Sequence, residues 1–215
     1  MVSKMTSLRK LLTLAICVSF WGLSFAKTVH IFSEFVKPEK EQAYYEGNVK
    51  VEIEEDNLNL YCDSMKVSKY QNEWRIVEAN NAEVFFDDGT ATSTRLRYDI
   101  KLKTGTMSGD VEAEIFDKES TDTILINCDS MEIDLENDIF QGNSTNQVQI
   151  YKGKIEASAK SFFYDRKSGK IKLEGDVTLI DHDKNMKMWA TSVEITTIDD
   201  KMTATNARVE LIVEE

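Results

Sequence analysis

The sequence predicts an all-β protein built as a stack of antiparallel strands, and three observations predict it. A six-residue motif recurs along the chain, most clearly at 62–67 (CDSMKV) and 128–133 (CDSMEI). A second motif, a small residue two positions before a valine, alternates with the first. Between the motifs, apolar and polar residues alternate with the period of two that is typical of half-buried strands. Two motifs in fixed alternation over about 170 residues indicate stacked supersecondary repeats rather than a compact enzyme core.

The first motif returns with related residues at 93–98 (STRLRY), 159–164 (AKSFFY) and 190–195 (ATSVEI). Its successive starts therefore lie 31, 35, 31 and 31 residues apart. The second motif occurs at Gly47/Val49, Ala82/Val84, Gly109/Val111, Asn146/Val148, Gly175/Val177 and Ala207/Val209. This regular spacing predicts a stacked array of near-identical supersecondary units.

The runs around the motifs have one apolar and one wet face. Every second residue is apolar in 49–53 (VKVEI) and again in 111–115 (VEAEI). Turn signals at 87–90 (DDGT), 103–105 (KTG) and 167–169 (KSG) separate the runs and fit tight connections between neighbouring strands. The single proline of the chain precedes the first repeat, which suits long uninterrupted ladders.

Within the first motif the apolar residues change sides. Around the first copy, the apolar residues before the switch have even numbers, as in Leu58, Leu60 and Cys62. After it they have odd numbers, as in Met65 and Val67, and every copy of the motif repeats such a change of parity. One extra residue flips the side-chain face, as a bulge or corner does. A stack in which every strand bends at an equivalent place is expected to fold into two facing sheets with a continuous crease.

The second motif behaves differently. Met107 and Val111 keep one parity through Gly109, and Gly175 lies in an equivalent run. We expect these glycines to permit a bend or a close approach of backbones without reversing the strand faces.

The repeat cell resembles that of the OstA-like (LptA-type) family of periplasmic lipopolysaccharide transport proteins. One copy consists of 159–165 (AKSFFYD), Gly169 and 173–179 (LEGDVTL), and the segment 93–115 holds a second copy in the same order. The resemblance covers roughly residues 45–213. Two features depart from the family pattern, namely cysteines where small residues are usual and a loose cell over 134–155.

The resemblance implies an open, creased antiparallel β-jelly roll whose interior shelters acyl chains and whose copies stack end to end. It implies no catalytic residues and no cofactor. Combined with the parity of each strand, it predicts a set of apolar side chains that line the lipid groove. These are Val49, Val51, Ile53, Met65, Val67, Val111, Ile115, Met131, Ile133, Phe162, Tyr164, Val177, Leu179, Val193 and Ile195.

An open stack has two terminal strands with unpaired backbone groups that can pair with other chains. We expect these edges near Val49, Val51 and Ile53 at one end, and near Val209, Leu211 and Val213 at the other. The expected partners are lipopolysaccharide or another glycolipid, further copies of this chain, and inner- and outer-membrane transport components of the same fold.

Residues 1–26 have the form of a signal peptide. Three basic residues precede an apolar stretch over 11–26, which ends in the small-x-small sequence Ser24-Phe25-Ala26. Sixteen residues are short of the roughly 20 that span a bilayer, so cleavage after Ala26 and export to the periplasm are expected. The alternatives are an uncleaved anchor, as in the inner-membrane partner of this family, or a lipoprotein signal at Cys17. The expected organisation is a signal peptide at 1–26, a lead-in segment at 27–44 and the β-domain at 45–215.

The charge excludes nucleic acid as a partner. The chain has a net charge of −12, and residues 27–215 carry −15 because the first 26 contain three basic and no acidic residues. We expect the basic residues of the strands to lie on the solvent-exposed face, as at Arg95, Arg97 and Lys160. The alternative is that some of them contact anionic head groups of the cargo. An anionic cargo would have to be held by apolar burial, aided by divalent cations on aspartate and glutamate.

Two cysteines lie beyond the signal segment, Cys62 and Cys128, at equivalent positions of the motif. The cell that contains Ser93 lies between them, so we expect about two strand spacings, roughly 9–10 Å, between the sulfurs. This exceeds the Cα reach of a disulfide, roughly 7 Å, and predicts free thiols that face the core.

No other pattern supports an enzyme. The many carboxylates alternate along strands, as a solvated face does, instead of forming a glycosidase pair. The 181–183 sequence (DHD) lies in an expected turn without a nucleophile, and His30 and His182 fall outside the cells, so no metal site is predicted. The alternatives to a lipid carrier are a polysaccharide-active or structural surface β-array and a passive scaffold with a dry core.

Overall fold

The computed structural model describes residues 27–118, 120 and 122–213, and its regular structure is antiparallel strand apart from one 3-10 turn at Glu54–Asp56. The expected signal peptide at 1–26 lies outside the described residues. In chain order the strands are β1 (His30–Phe32), β2 (Phe35–Pro38), β3 (Gln42–Ile53), β4 (Leu58–Tyr70), β5 (Glu73–Phe86), β6 (Gly89–Asp99), β7 (Thr104–Phe116), β8 (Thr123–Asp134), β9 (Ile139–Lys152), β10 (Ile155–Asp165), β11 (Lys170–Asp181), β12 (Met186–Thr196), β13 (Met202–Thr205) and β14 (Arg208–Leu211). Across the described ranges, no helix is long and apolar enough to cross a membrane.

All fourteen strands form one sheet, and the predicted all-β antiparallel class is confirmed. From β3 to β13 each strand pairs with the next in the sequence. β1 and β2 each pair with one half of β3, and β13 and β14 each pair with one half of β12. The sheet therefore begins at His30, ahead of the domain boundary expected at residue 45.

The predicted crease is present where the parity switches. On β4, Cys62 and Met65 are both buried although they are three residues apart. The register of β3 against β4 shifts at this point, between Glu46 and Val49, and the shift recurs between β7 and β8 and between β11 and β12. Each long strand therefore contributes one half to each of two facing layers.

The glycines of the second motif lie at the same crease, on the strands that pair with those of the first motif. Gly109 and Asp110 both have positive φ, 80° and 48°, a conformation that glycine adopts without the steric cost of a Cβ. Met107 and Val111 on either side are both buried, so the strand bends without reversing its faces. This is the behaviour that the sequence predicts for these glycines.

The two layers enclose one continuous apolar core. A column of rings crosses it, in which Phe140 stacks on Phe86 and on Tyr164 with centroid distances of 5.9 and 6.1 Å. All fifteen residues predicted to line the groove are buried: Val49, Val51, Ile53, Met65, Val67, Val111, Ile115, Met131, Ile133, Phe162, Tyr164, Val177, Leu179, Val193 and Ile195. All fifteen side chains therefore belong to the core, and their contact with lipid stays a prediction.

Both cysteines are free and buried, as predicted. The expected separation is wrong, however. Cys62 lies on β4 and Cys128 on β8, so three strands separate them, and four strand spacings amount to about 19 Å. Each repeat of the motif adds two strands to the sheet, which places the two thiols beyond disulfide reach by a wider margin.

The N-terminal edge also differs from expectation. Val51 in β3 pairs with Ile31, and Tyr45 pairs with Val36, so β1 and β2 cover the outer side of β3. The outermost strands at this end are therefore β1 and β2, not the Val49–Ile53 segment. At the other end, Val209 and Leu211 lie on β14, which together with β13 is outermost, whereas Val213, expected on the same edge, lies beyond the end of that strand.

Candidate functional site

The interior between the two layers is tightly filled. Its central space, next to Leu60, Val77 and Leu96, has a volume of only about 10 Å³. The hydroxyl of Tyr98 borders this space, is buried, and has no hydrogen-bond partner among the described residues. Burial raises the pKa of Tyr98, so this hydroxyl is a neutral polar group in an apolar wall.

A larger cavity of about 380 Å³ lies at the N-terminal end of the interior. Tyr45, which is half-buried, and Trp74, which is 47% exposed, stand at its rim. Its wall is apolar and consists of Val29, Ile31, Pro38, Ala43, Tyr45, Val51, Met65, Val67, Trp74, Val77 and Ile100. Depressions on the outer face are larger, about 570 and 670 Å³, but polar residues such as Glu132 and Lys66 line them, so they suit acyl chains poorly.

The turns form two lips along the side of the jelly roll that lies opposite the crease. The first lip consists of the turns after β3, β5, β7, β9 and β11, and the second of the turns after β4, β6, β8, β10 and β12. Ion pairs join the lips along their length, and we call these pairs the mouth seam. They are Asp56–Lys103 at 3.1 Å, Asp88–Arg166 at 2.6 Å, Lys118–Asp138 at 2.6 Å and Lys152–Asp200 at 2.7 Å.

Two cations of the mouth seam are deeply buried. The side chain of Arg166 is 5% exposed, and its Nε donates a hydrogen bond of 2.7 Å to the carbonyl oxygen of Phe116. The side chain of Lys152 is 2% exposed and lies 2.7 Å from the carboxylates of both Asp122 and Asp200. Burial opposes the charge of Lys152, but the two carboxylates outweigh it and raise its pKa. Lys152 is therefore held as a cation at the boundary of the core.

The mouth seam is reinforced from the core side. The hydroxyl of Tyr164 and that of Thr197 each donate a hydrogen bond of 3.1 Å to Oδ1 of Asp117, which belongs to the first lip. The carboxylate of Asp56 raises the pKa of Lys103 on the opposite lip. Polar contacts thus join the two lips over the apolar core.

Among the residues that the structure describes, the remaining reactive groups show no catalytic arrangement. Burial raises the pKa of the Cys62 thiol to about 11 and that of Cys128 to about 12, so neither is a nucleophile near neutral pH. Asp181 accepts hydrogen bonds from the backbone N–H groups of Asp183 and Lys184, and the exposed His182 pairs with Glu156. Within the described part of the chain, no group of three or more His, Cys, Asp or Glu residues could hold a metal ion.

The sequence prediction missed the mouth seam, although a signal for part of it exists. Val148, Ile150 and Lys152 share one parity, so a lysine occupies an inward position at the end of its strand. Asp117 follows Ile115 in the same way. A charged residue in the inward series therefore marks the point where a strand reaches the mouth. The pairing of each cation with an aspartate on the other lip depends on how the layers face each other.

Comparisons with known proteins give a family match over most of the chain. A family model described as "LptC: Lipopolysaccharide-assembly, LptC-related" matches residues 14–183. No curated protein matches the chain. Among solved structures, the chain is similar to LptH, described as the LptA homologous periplasmic component of the conserved lipopolysaccharide transport device from Pseudomonas aeruginosa. The identity is 9% over 88% of this chain and 96% of that chain, with a TM-score of 0.25, so this likeness adds nothing to the family match.

Proposed function

The chain belongs to the LptC-related lipopolysaccharide-assembly family, and on this premise we propose that it is an exported, non-enzymatic carrier of lipopolysaccharide or a related glycolipid. The observation that carries the proposal is the continuous apolar interior, which runs through the repeats that the family model matches. Acyl chains would lie among the fifteen inward residues named above. The protein would act in the periplasm, between the inner and outer membranes.

The energetics favour such a site once the mouth is open. Removing acyl chains from water contributes about 0.8 kcal/mol for each CH₂ group, without a directional code. The interior is filled when closed, so chains would enter as the lips part and would replace contacts between the two layers. The cavity beside Tyr45 is an apolar space already large enough to receive part of a chain.

End-to-end assembly follows from the two sheet edges. Phe35 and Val36 on β2 are 69% and 58% exposed, and Leu211 on β14 is 64% exposed. Unpaired backbone groups beside exposed apolar residues favour the addition of another strand. We propose that β14 of one copy pairs with β1 of the next and β13 with β2, or that these strands pair with transport components of the same fold. β14 and β1 lie in one layer and β13 and β2 in the other, so such a head-to-tail contact extends the interior into a conduit.

Two adjacent tyrosines provide a matched test of the lipid site. Tyr45 lines the apolar cavity at its rim, whereas Tyr44 lines only the depression on the outer face. A benzophenone amino acid placed at 45 should crosslink to lipopolysaccharide, and the same residue at 44 should crosslink far less. Equal labelling at the two positions, or labelling at 44 alone, would contradict binding in the interior.

A further inference from the structure

The cations of the mouth seam stand where the head group of an amphiphile would lie if its chains entered the interior. We propose that Lys103, Arg166 and Lys152 form a head-group site, at which the phosphates of an acylated sugar replace the aspartate partners as the mouth opens. This inference rests on the proposed function, because it assumes that acyl chains enter between the layers. It adds to that function the residues that hold the head group of the cargo.

The burial of these cations supports a role beyond closing the mouth. Taking a guanidinium or an ammonium group out of water costs several kcal/mol, which an ion pair repays only when its geometry is excellent. Apolar residues of similar size at positions 152 and 166 would close the lips at a lower cost. Retaining Arg166 and Lys152 keeps positive charge at the core boundary, available to an anion when the lips part.

The charge of the whole chain makes a local site necessary. Residues 27–215 carry a net charge of −15, which opposes the approach of a phosphorylated lipid. Arg95 and Arg97 are exposed and have no ion pair among the described residues, yet they lie on the outer face of β6, beside Lys66 and Glu78. They cannot reach the head group of a lipid whose chains lie inside. The cations of the mouth seam can, because they border both solvent and core.

The exchange is chemically favourable at Arg166. In the closed state its Nη1 lies 2.6 Å from the carboxylate of Asp88, which is partly exposed and can return to water as the lips part. A guanidinium binds phosphate in the same forked geometry as a carboxylate, and phosphate offers more acceptor oxygens and more negative charge. The exchange is non-covalent and requires no proton transfer.

Two variants separate a head-group site from a simple closure. Arg166→Gln and Asp88→Asn both break the Arg166–Asp88 ion pair, so both should loosen the mouth. Arg166→Gln should loosen it more, because it also removes the hydrogen bond to Phe116 and the pair with Asp138 at 3.9 Å. If the pair only closes the mouth, both variants should shift lipid binding in the same direction. If Arg166 binds phosphate, Arg166→Gln should weaken binding of bisphosphorylated lipid A by about tenfold or more. Asp88→Asn should strengthen it by about three- to tenfold, because it removes the competing carboxylate.

The dephosphorylated form of the same lipid A, with identical chains, distinguishes the head-group site from the acyl-chain site. It should bind the wild-type protein more weakly, and Arg166→Gln should leave its affinity unchanged or increased. Binding of both lipids with equal affinity, or shifts of the same sign in the two variants, would overturn the head-group site while leaving the acyl site intact. Binding of neither lipid to the wild-type protein would overturn the proposed function itself.

A second position guards against misfolding of the Arg166 variant. Lys103→Gln alters a cation that is 33% exposed and leaves Lys27 beside Asp56, so the fold should tolerate it. It should weaken binding of bisphosphorylated lipid A and spare the dephosphorylated form. Lys172→Gln breaks an ion pair on the outer face and should change neither affinity. Loss of affinity for the phosphorylated lipid in Lys172→Gln as large as that in Lys103→Gln would contradict the site.

Discussion

At the crease, single residues hold the backbone in a conformation that few side chains adopt. Gly175 and Asp176 have φ values of 79° and 49°, so two successive residues lie in the left-handed region. A Cβ on Gly175 would lie 2.9 Å from the Cβ and Cγ of Lys160 on the neighbouring strand. Glycine is therefore required at 175 both for its backbone conformation and for the close approach of the two strands.

We predict that Gly175→Ala lowers the free energy of unfolding by about 1–3 kcal/mol, the usual cost of a non-glycine residue in this region. Urea unfolding measures the change. Asp176→Gly is the matched control, since it gives the adjacent left-handed position the residue that tolerates it best, and it should shift stability by less than about 1 kcal/mol. An unchanged stability in Gly175→Ala would show that the crease does not depend on this conformation.

Residue-scale features were predictable from the sequence wherever they depend on parity. The alternation and its switch placed Met65, Met131 and Phe162 on the inward face without any knowledge of the sheet. Parity also predicts that Lys152 points inward, but it does not predict which carboxylate pairs with it. Asp200 lies 48 residues away and meets Lys152 only because the two layers face each other.

At the scale of elements, aspartates at strand ends shape the turns of the mouth. Asp99 ends β6 and accepts hydrogen bonds from the backbone N–H groups of Lys101 and Leu102. Arg75 adds an ion pair to the same carboxylate at 2.6 Å. Burial by itself would raise the pKa of Asp99, but these hydrogen bonds outweigh it and lower the pKa.

This lowered pKa gives a signed pH dependence. Because the folded pKa lies below the unfolded value of about 3.9, the carboxylate stabilises the protein fully above that pH. The contribution is lost as the pH falls through the folded pKa. We predict that Asp99→Asn reduces the free energy of unfolding at pH 7 and narrows its difference between pH 7 and pH 3. The same pH 7 to pH 3 difference in Asp99→Asn as in the wild type would contradict this role of Asp99. The control Glu83→Gln, on the exposed face, should leave the free energy of unfolding at pH 7 unchanged.

The order of the strands was predictable from the repeats, whereas the N-terminal edge was not. Residues 30–32 and 35–38 form strands of three and four residues, too short to show an alternation. Each pairs with only one half of β3, because the crease divides that strand. Tertiary pairing, and not the local pattern, therefore makes β1 and β2 the outermost strands.

At the scale of the whole molecule, an open sheet with two exposed edges is expected to associate. We predict that Leu211→Lys weakens concentration-dependent self-association, because a charged residue on an edge strand discourages pairing. Sedimentation velocity across a concentration series measures the effect. Glu194→Lys on the outer face of β12 is the control and should associate like the wild type. Unchanged association in Leu211→Lys would contradict pairing through β14.

The central claim is that the apolar interior carries a glycolipid. The most direct measurement is mass spectrometry of the lipids that remain bound after the protein is purified from its own cells in detergent-free buffer. The account predicts an acylated, phosphorylated glycolipid that stays bound through size-exclusion chromatography, and less of it in Arg166→Gln. A correctly folded protein that retains no glycolipid, and takes none up from added lipopolysaccharide, would contradict the account.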